Sequence, residues 1–181
     1  MQPRTTPGQW AFLFGIAFLT LLLDQISKAV VVANLALYER RVPIPALADV
    51  FNITYTRNTG AAFGILPFAS NVFLVIAVVA SLFILYFYRK IEGRAWLIRA
   101  ALGLQMGGAL GNALDRITRG YVVDFLHVFY EPYFNYPVFN LADSAIVIGV
   151  GILIILLWRE DQQPRTAPAE SSNSEPGESN P

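Results

Sequence analysis

The sequence predicts an all-α membrane protein: a four-transmembrane-helix bundle with a small β-sheet and a surface loop on its outer side. Three observations predict it. Hydrophobic residues make up 55% of the 181 residues and charged residues only 14%, a balance too apolar for an ordinary soluble domain. Four apolar runs, at about 10–32, 70–88, 95–114 and 141–158, approach or exceed the roughly 20 residues a helix needs to cross a bilayer. Between them, two short stretches alternate apolar and polar residues with the period of a half-buried strand.

The first run opens at Trp10, and its apolar character resumes beyond Asp24 and Lys28. That is longer than the apolar core of a signal peptide, so it is expected to be an uncleaved span. Asp24 and Lys28 lie four residues apart on one helical face, acid before base, the order that suits an ion pair. They could equally mark the membrane interface, with Lys28 snorkelling. Residues 34–66 cannot span, because charges interrupt them and Pro43 and Pro45 break helix. Within them Phe51, Ile53 and Tyr55 alternate with Asn52, Thr54 and Thr56, which reads as a strand at the membrane surface. RNTGAAFG follows, Arg57 to Gly64, where Asn58 and Gly60 are either ordinary turn residues or an amide and a close backbone approach offered to a neighbour.

The second span ends in Tyr86, Phe87 and Tyr88, an aromatic belt, and Arg89, Lys90, Arg94 and Arg99 crowd the short connection after it. The positive-inside rule makes that connection cytoplasmic, with Arg99 reaching back to the headgroups. Gly103, Gly107 and Gly111 in the third run, and Ala145 and Gly149 in the fourth, repeat every four residues, a small-residue face for close helix packing. Four spans then put both termini inside and the 34–69 and 115–140 loops outside. Residues 1–161 form one integral membrane domain, and the Pro-, Ser- and Glu-rich residues 162–181 are expected to be a disordered tail.

Composition narrows the chemistry. The formal charge is zero, so bulk electrostatics give no reason to expect a nucleic-acid partner. There is no cysteine and one histidine, His127, which removes thiol nucleophiles, thiolate metal sites and an HExxH zinc site. His127, beside aromatics, reads as a surface or interface residue. What is left is polar groups near hydrocarbon. Asn112, Asp115 and Arg116 share one face at the end of the third helix, and Asp115 with Arg116 reads as structural, bonding across to the strand region. Tyr121 to His127 alternates as a second strand bearing Asp124, and the aromatics from Phe129 to Phe139 read as an interfacial anchor or a lid. Asn140 and Asp143 have the spacing of a helix N-cap and its partner. Asp124 and Asp143 are candidates for a catalytic pair on one side of the membrane. Intramembrane acids also serve as ion or proton relays, and composition does not separate the two.

Four blocks do. DQISK (Asp24 to Lys28), RNTGAAFG, GGALGNALDRITRGYVVDFLHV (Gly107 to Val128) and FNLADSAI (Phe139 to Ile146) resemble, in the same order, those of bacterial lipoprotein signal peptidase, signal peptidase II. The resemblance covers about residues 10–158. It implies an aspartyl endopeptidase of the inner membrane, a monomer among membrane lipids, that cuts diacylglyceryl-modified prolipoproteins before the lipidated cysteine. The sheet and loop would be periplasmic, and the active site would lie near that face. Matched positions make Asp124 and Asp143 the catalytic pair. Asn58, Gly60, Asn112, Arg116 and Asn140 would support them or contact substrate, and Asp24, Lys28 and Asp115 would brace the bundle. No metal or organic cofactor is implied.

Overall fold

In a computed structural model of the chain, residues 5–60, 70–91, 93 and 95–161 are described. The Ala61–Gly64 end of the RNTGAAFG block and the 162–181 tail lie outside them. Four long helices carry the structure: α1 (Pro7–Asn34), α2 (Ser70–Tyr88), α3 (Trp96–Arg119) and α4 (Leu141–Asp161). Between α1 and α2 lie β1 (Arg40–Arg41), a turn of 3₁₀ helix and β2 (Phe51–Asn58). Between α3 and α4 lie β3 (Val122–Tyr130) and β4 (Phe134–Asn135).

Local chemistry sets the helix ends. Thr6 and Gln9 cap α1 reciprocally, side chain to backbone each way, with Pro7 in the first helical position where no N–H is needed. Gly120 ends α3 at φ +78°, the left-handed conformation that glycine takes without strain. Three of the helices, α1, α2 and α4, are each long and apolar enough to cross a membrane. Their outer faces, Phe14, Phe18, Val75, Val79, Ile154 and Leu157 among them, are at least half exposed, as expected of surfaces that meet lipid rather than water.

Helix α3 is the least apolar of the four because it carries the polar side chains of the interior. It packs against α1, α2 and α4, and its glycines make that possible. A Cβ on Gly107 would stand 2.5 Å from the Ala17 carbonyl oxygen of α1, and one on Gly108 2.5 Å from that of Ala142 on α4. Gly103 and Gly111 abut Ile16 and Asp24, and Gly149 of α4 abuts Ala101 of α3. The expected small-residue face is therefore a set of backbone-to-backbone contacts. The expected reach of Arg99 to the headgroups is not found. Arg99 is fully buried, donates to the carbonyls of Ile91 and Gly93 and lies over the Tyr88 ring, because the tight α2–α3 connection leaves carbonyls that need a donor.

The four strands form one antiparallel sheet in the order β1-β2-β3-β4. Both main strands outrun the alternating stretches that announce them, β2 to Asn58 and β3 to Tyr130, because cross-strand pairing carries them on. Tyr55, Val123 and Phe125 pack with Val31 and Leu35, so the sheet sits on the C-terminal end of α1. Pairing of Thr56 with Asp124 and of Asn58 with Val122 fixes which β3 side chains face the bundle.

Candidate active site

Asp124, Asp143 and Arg116 line one cavity of about 750 Å³ between the sheet and α2, α3 and α4. Its walls follow from periodicity. Residues 73, 76, 77, 80 and 84 form one face of α2, residues 105, 109, 112 and 116 one face of α3, and residues 143, 146 and 147 the start of α4. Thr56, Asn58 and Gly60 close it from β2 and the turn beyond, and Tyr136 to Phe139 cover the remaining side.

Three asparagines hold the two acids, and each has its orientation set from behind. Gly60 N donates to Asn58 Oδ1 at 3.1 Å, an Asx turn that leaves Asn58 Nδ2 to donate to Asp124 Oδ2 at 3.0 Å. The turn and the offered amide are thus one arrangement. Asn140 caps α4: Asp143 N donates to its Oδ1 at 2.9 Å, and its own N donates to Asp143 Oδ2 at 3.3 Å. With its oxygen occupied, Asn140 turns Nδ2 toward Asp124 Oδ1 at 2.6 Å. Asn112 Oδ1 accepts from Lys28 Nζ at 2.9 Å and from Asn140 Nδ2 at 3.2 Å, so its Nδ2 faces Asp143 Oδ1 at 2.7 Å. Asn140 therefore touches both acids.

The acids differ in setting. Asp143 is half-buried in the first turn of α4, at the positive end of the helix dipole. Asp124 is 2% exposed on a strand. Burial pushes its carboxyl up to about 7, the Asp143 charge adds to the rise, and the amides of Asn58 and Asn140 oppose it.

Asp24, Lys28 and Asp115 meet behind the cavity, all fully buried. Lys28 Nζ lies 2.8 Å from Asp24 Oδ2 and 3.0 Å from Asp115 Oδ2. The interfacial, snorkelling alternative for Lys28 is excluded by that burial. Asp24 Oδ1 also accepts from Ala142 N at 3.0 Å, taking one of the free N–H groups that open α4, and Asp115 Oδ2 accepts from Val123 N at 3.0 Å, tying α3 to β3. Of the two residues expected to bond across to the strand region, Asp115 does, through Val123 N, and Arg116 does not. Helix α3 continues past residue 114 to Arg119, and one more turn brings Arg119 Nε to 3.2 Å from Asp115 Oδ1, off the hydrogen-bond line but close enough to pair as charges. Arg116 instead points into the cavity, donates to Asn112 O and lies over the Phe73 ring.

Sequence reasoning missed Gln25, whose Nε2 reaches Asp24 Oδ2 at 3.1 Å and Asp115 Oδ1 at 3.3 Å, and also Thr56 and Gln105 on the cavity wall. Gln25 stands inside the DQISK block, and a polar residue there in an apolar helix was the available signal. His127 lies away from the cavity, between Asn52 and Asn135. No group of three or more potential metal ligands occurs among the described residues.

The family model and the curated relatives agree on one family. The family model described as signal peptidase (SPase) II matches residues 16–159. A lipoprotein signal peptidase of Halothermothrix orenii is 44% identical over 147 residues, 81% of this chain and 95% of the relative. One of Syntrophotalea carbinolica is 41% identical over 156 residues, 84% and 94% of the two chains. Two bacterial membrane enzymes solved by the in meso method, at 2.3 and 1.9 Å resolution, superpose with TM-scores of 0.79 and 0.73 at 30% and 32% identity. They cover 94% and 88% of this chain and 99% of each of theirs.

Proposed function

The chain belongs to the signal peptidase II family, and we propose that it is an aspartyl endopeptidase of the bacterial inner membrane. In this reading it releases signal peptides from diacylglyceryl-modified prolipoproteins by cutting before the lipidated cysteine. The observation that carries the reading is the pairing of Asp124 and Asp143 on one cavity, bridged by Asn140, with Asp124 pushed up to about 7. Two carboxyls so placed share one proton cheaply and two charges only at high cost.

The ionised Asp143 takes a proton from a water molecule as its oxygen bonds to the scissile carbonyl carbon. Protonated Asp124 donates to the carbonyl oxygen, where negative charge develops. Asn58 and Asn140 hold Asp124 in place, and Arg116 supplies positive charge at the cavity wall. Collapse of the tetrahedral adduct breaks the C–N bond: the proton taken up by Asp143 passes to the leaving amine, and one hydroxyl proton of the adduct returns to Asp124 as the new carboxyl group forms. No step calls for a metal or an organic cofactor.

Helix α3 is the fourth span, with its polar face turned to its three neighbours and Leu97, Leu110, Leu114 and Ile117 left outward, which explains how it tolerates that face. The Arg89–Arg99 connection is cytoplasmic, the sheet is periplasmic, and the protein acts as a monomer. A proton relay would string its acids through the membrane. Here Asp24, Asp115, Asp124 and Asp143 gather at one end of the bundle through Lys28, Asn112 and Asn140. Incubation of the detergent-purified protein with a diacylglyceryl-modified prolipoprotein tests the reading, and intact substrate under conditions where a known relative cleaves would overturn it.

A further inference from the structure

The cavity does not stop at the acids. Along α3 it continues from Asn112 to Gln105, seven residues or about 10 Å toward the Trp96 end, between the apolar walls made by Ala80 and Ile84 of α2 and Ile146 of α4. Among the described residues, Gln105 is the polar side chain at that depth, and its buried Nε2 has no hydrogen-bond partner there. The neighbouring helix leaves it room: a Cβ on Gly149 would lie 2.8 Å from Gln105 Cγ and 3.3 Å from Nε2. An unpartnered amide donor in an apolar slot is costly unless something bound there uses it.

A substrate cut at Asp124 and Asp143 has such a use for it. The scissile peptide cannot remain inside a helix while water attacks its carbonyl, and unwinding strips neighbouring carbonyls of their intrahelical donors in a place without water. An extended chain advances about 3.4 Å per residue, so about 10 Å corresponds to roughly three residues on the signal-peptide side. An ester carbonyl of the substrate's lipid could reach the same depth along the slot.

We propose that Gln105 is a substrate-binding residue whose Nε2 donates to a substrate carbonyl oxygen in the apolar part of the cavity. The proposal rests on the peptidase reading. Its test uses the full chain, a diacyl prolipoprotein and the corresponding dialkyl ether substrate, and compares wild type with Gln105→Met, which keeps the length but removes the donor, and Gln105→Ala. Both variants should lose about tenfold in kcat/KM, the worth of a desolvated hydrogen bond, and Gln105→Met, which removes an unpartnered buried donor, should melt no lower than wild type. The same loss on both substrates identifies a peptide carbonyl. A loss confined to the diacyl substrate identifies the ester. Wild-type kcat/KM in Gln105→Met, or a loss in both variants that tracks a fall in melting temperature, overturns the proposal. Failure of wild type itself to cleave would instead overturn the peptidase reading.

Discussion

Lys28 Nζ donates to Asn112 Oδ1 at 2.9 Å, and that bond, with the longer one from Asn140 Nδ2, decides which end of the Asn112 amide faces Asp143. A charge buried in the first helix thus orients a neutral side chain in the third, which in turn holds an acid at the start of the fourth. Lys28→Met should therefore do two things. It leaves Asp24 buried without a cation and Asp115 with Arg119 alone, a loss of about 3–5 kcal/mol by the usual cost of breaking a buried pair, and it takes away one of the two donors that orient the Asn112 amide. Melting curves in detergent measure the first effect. Cleavage by whatever fraction stays folded measures the second, and wild-type turnover by folded Lys28→Met would break the link between Lys28 and the site.

Packing of α3 gives a second prediction with its own control. Gly107→Ala places a methyl against the Ala17 carbonyl oxygen and Thr20 Cβ, 2.5 and 2.7 Å from the ideal position, so α1 and α3 must part. Overpacking of that kind costs about 1–3 kcal/mol. Gly151→Ala on α4 meets nothing within 4 Å among the described residues and should instead gain helix propensity, up to about 1 kcal/mol. Melting temperatures moving in opposite directions would bear this out, whereas equal shifts would mean that the α1–α3 contact is loose.

Topology can be read without structure. The chain has no cysteine, so single cysteines introduced at Gly93 and Tyr136 report separately. On the proposed topology the basic connection at Arg89 to Arg99 lies inside, so an impermeant maleimide applied to intact cells whose outer membrane has been opened should label Tyr136→Cys and spare Gly93→Cys. The reverse pattern would invert the bundle and move the acids to the cytoplasmic face.

Much of this arrangement is legible in the sequence because hydrocarbon imposes simple rules. Apolar runs long enough to span announce α1, α2 and α4, and small residues at four-residue spacing announce which faces of α3 and α4 touch a neighbour. The Asn140–Asp143 spacing announces the cap of α4. Long-range partners follow no such rule. Whether Asp115 pairs with Arg116 or Arg119 depends on how far α3 continues beyond its apolar stretch, and sequence periodicity ends where Gly120 has yet to be reached. The extension of β2 through Arg57 and Asn58, which carries the Asn58 amide to Asp124, comes from pairing with β3 and leaves no alternation to read. Gln105 reads as one polar residue in an apolar run. Only the neighbouring Gly149 and the empty space beside it give it meaning.

The last prediction concerns the proton between the two acids. Asp124 has its carboxyl raised from 3.8 to about 7. Between those values the folded protein holds a proton there that the unfolded chain releases. Stability from this group is therefore fully present at low pH, falls as pH rises from about 4 to about 7, by at most ~1.4 kcal/mol per pH unit, and stays low above that. Asp124→Asn removes the titration, so the variant should melt higher than wild type above pH 7, and the two should converge toward pH 4. Asp143→Asn takes away the neighbouring charge that helps raise Asp124, and should move the upper end of the sloping window below 7. Activity follows the same proton. Because kcat/KM reports the free enzyme, it should fall as pH rises through about 7, when Asp124 can no longer donate to the scissile carbonyl. Asp124→Asn and Asp143→Asn should each lose turnover by at least 10²-fold, since each keeps the shape of its side chain but removes proton exchange. Melting and cleavage profiles of the three proteins from pH 4 to 9 decide the matter. Wild type gaining stability relative to Asp124→Asn across that window would mean that the buried carboxyl prefers to be charged, and the assignment of acid and base would have to be reversed.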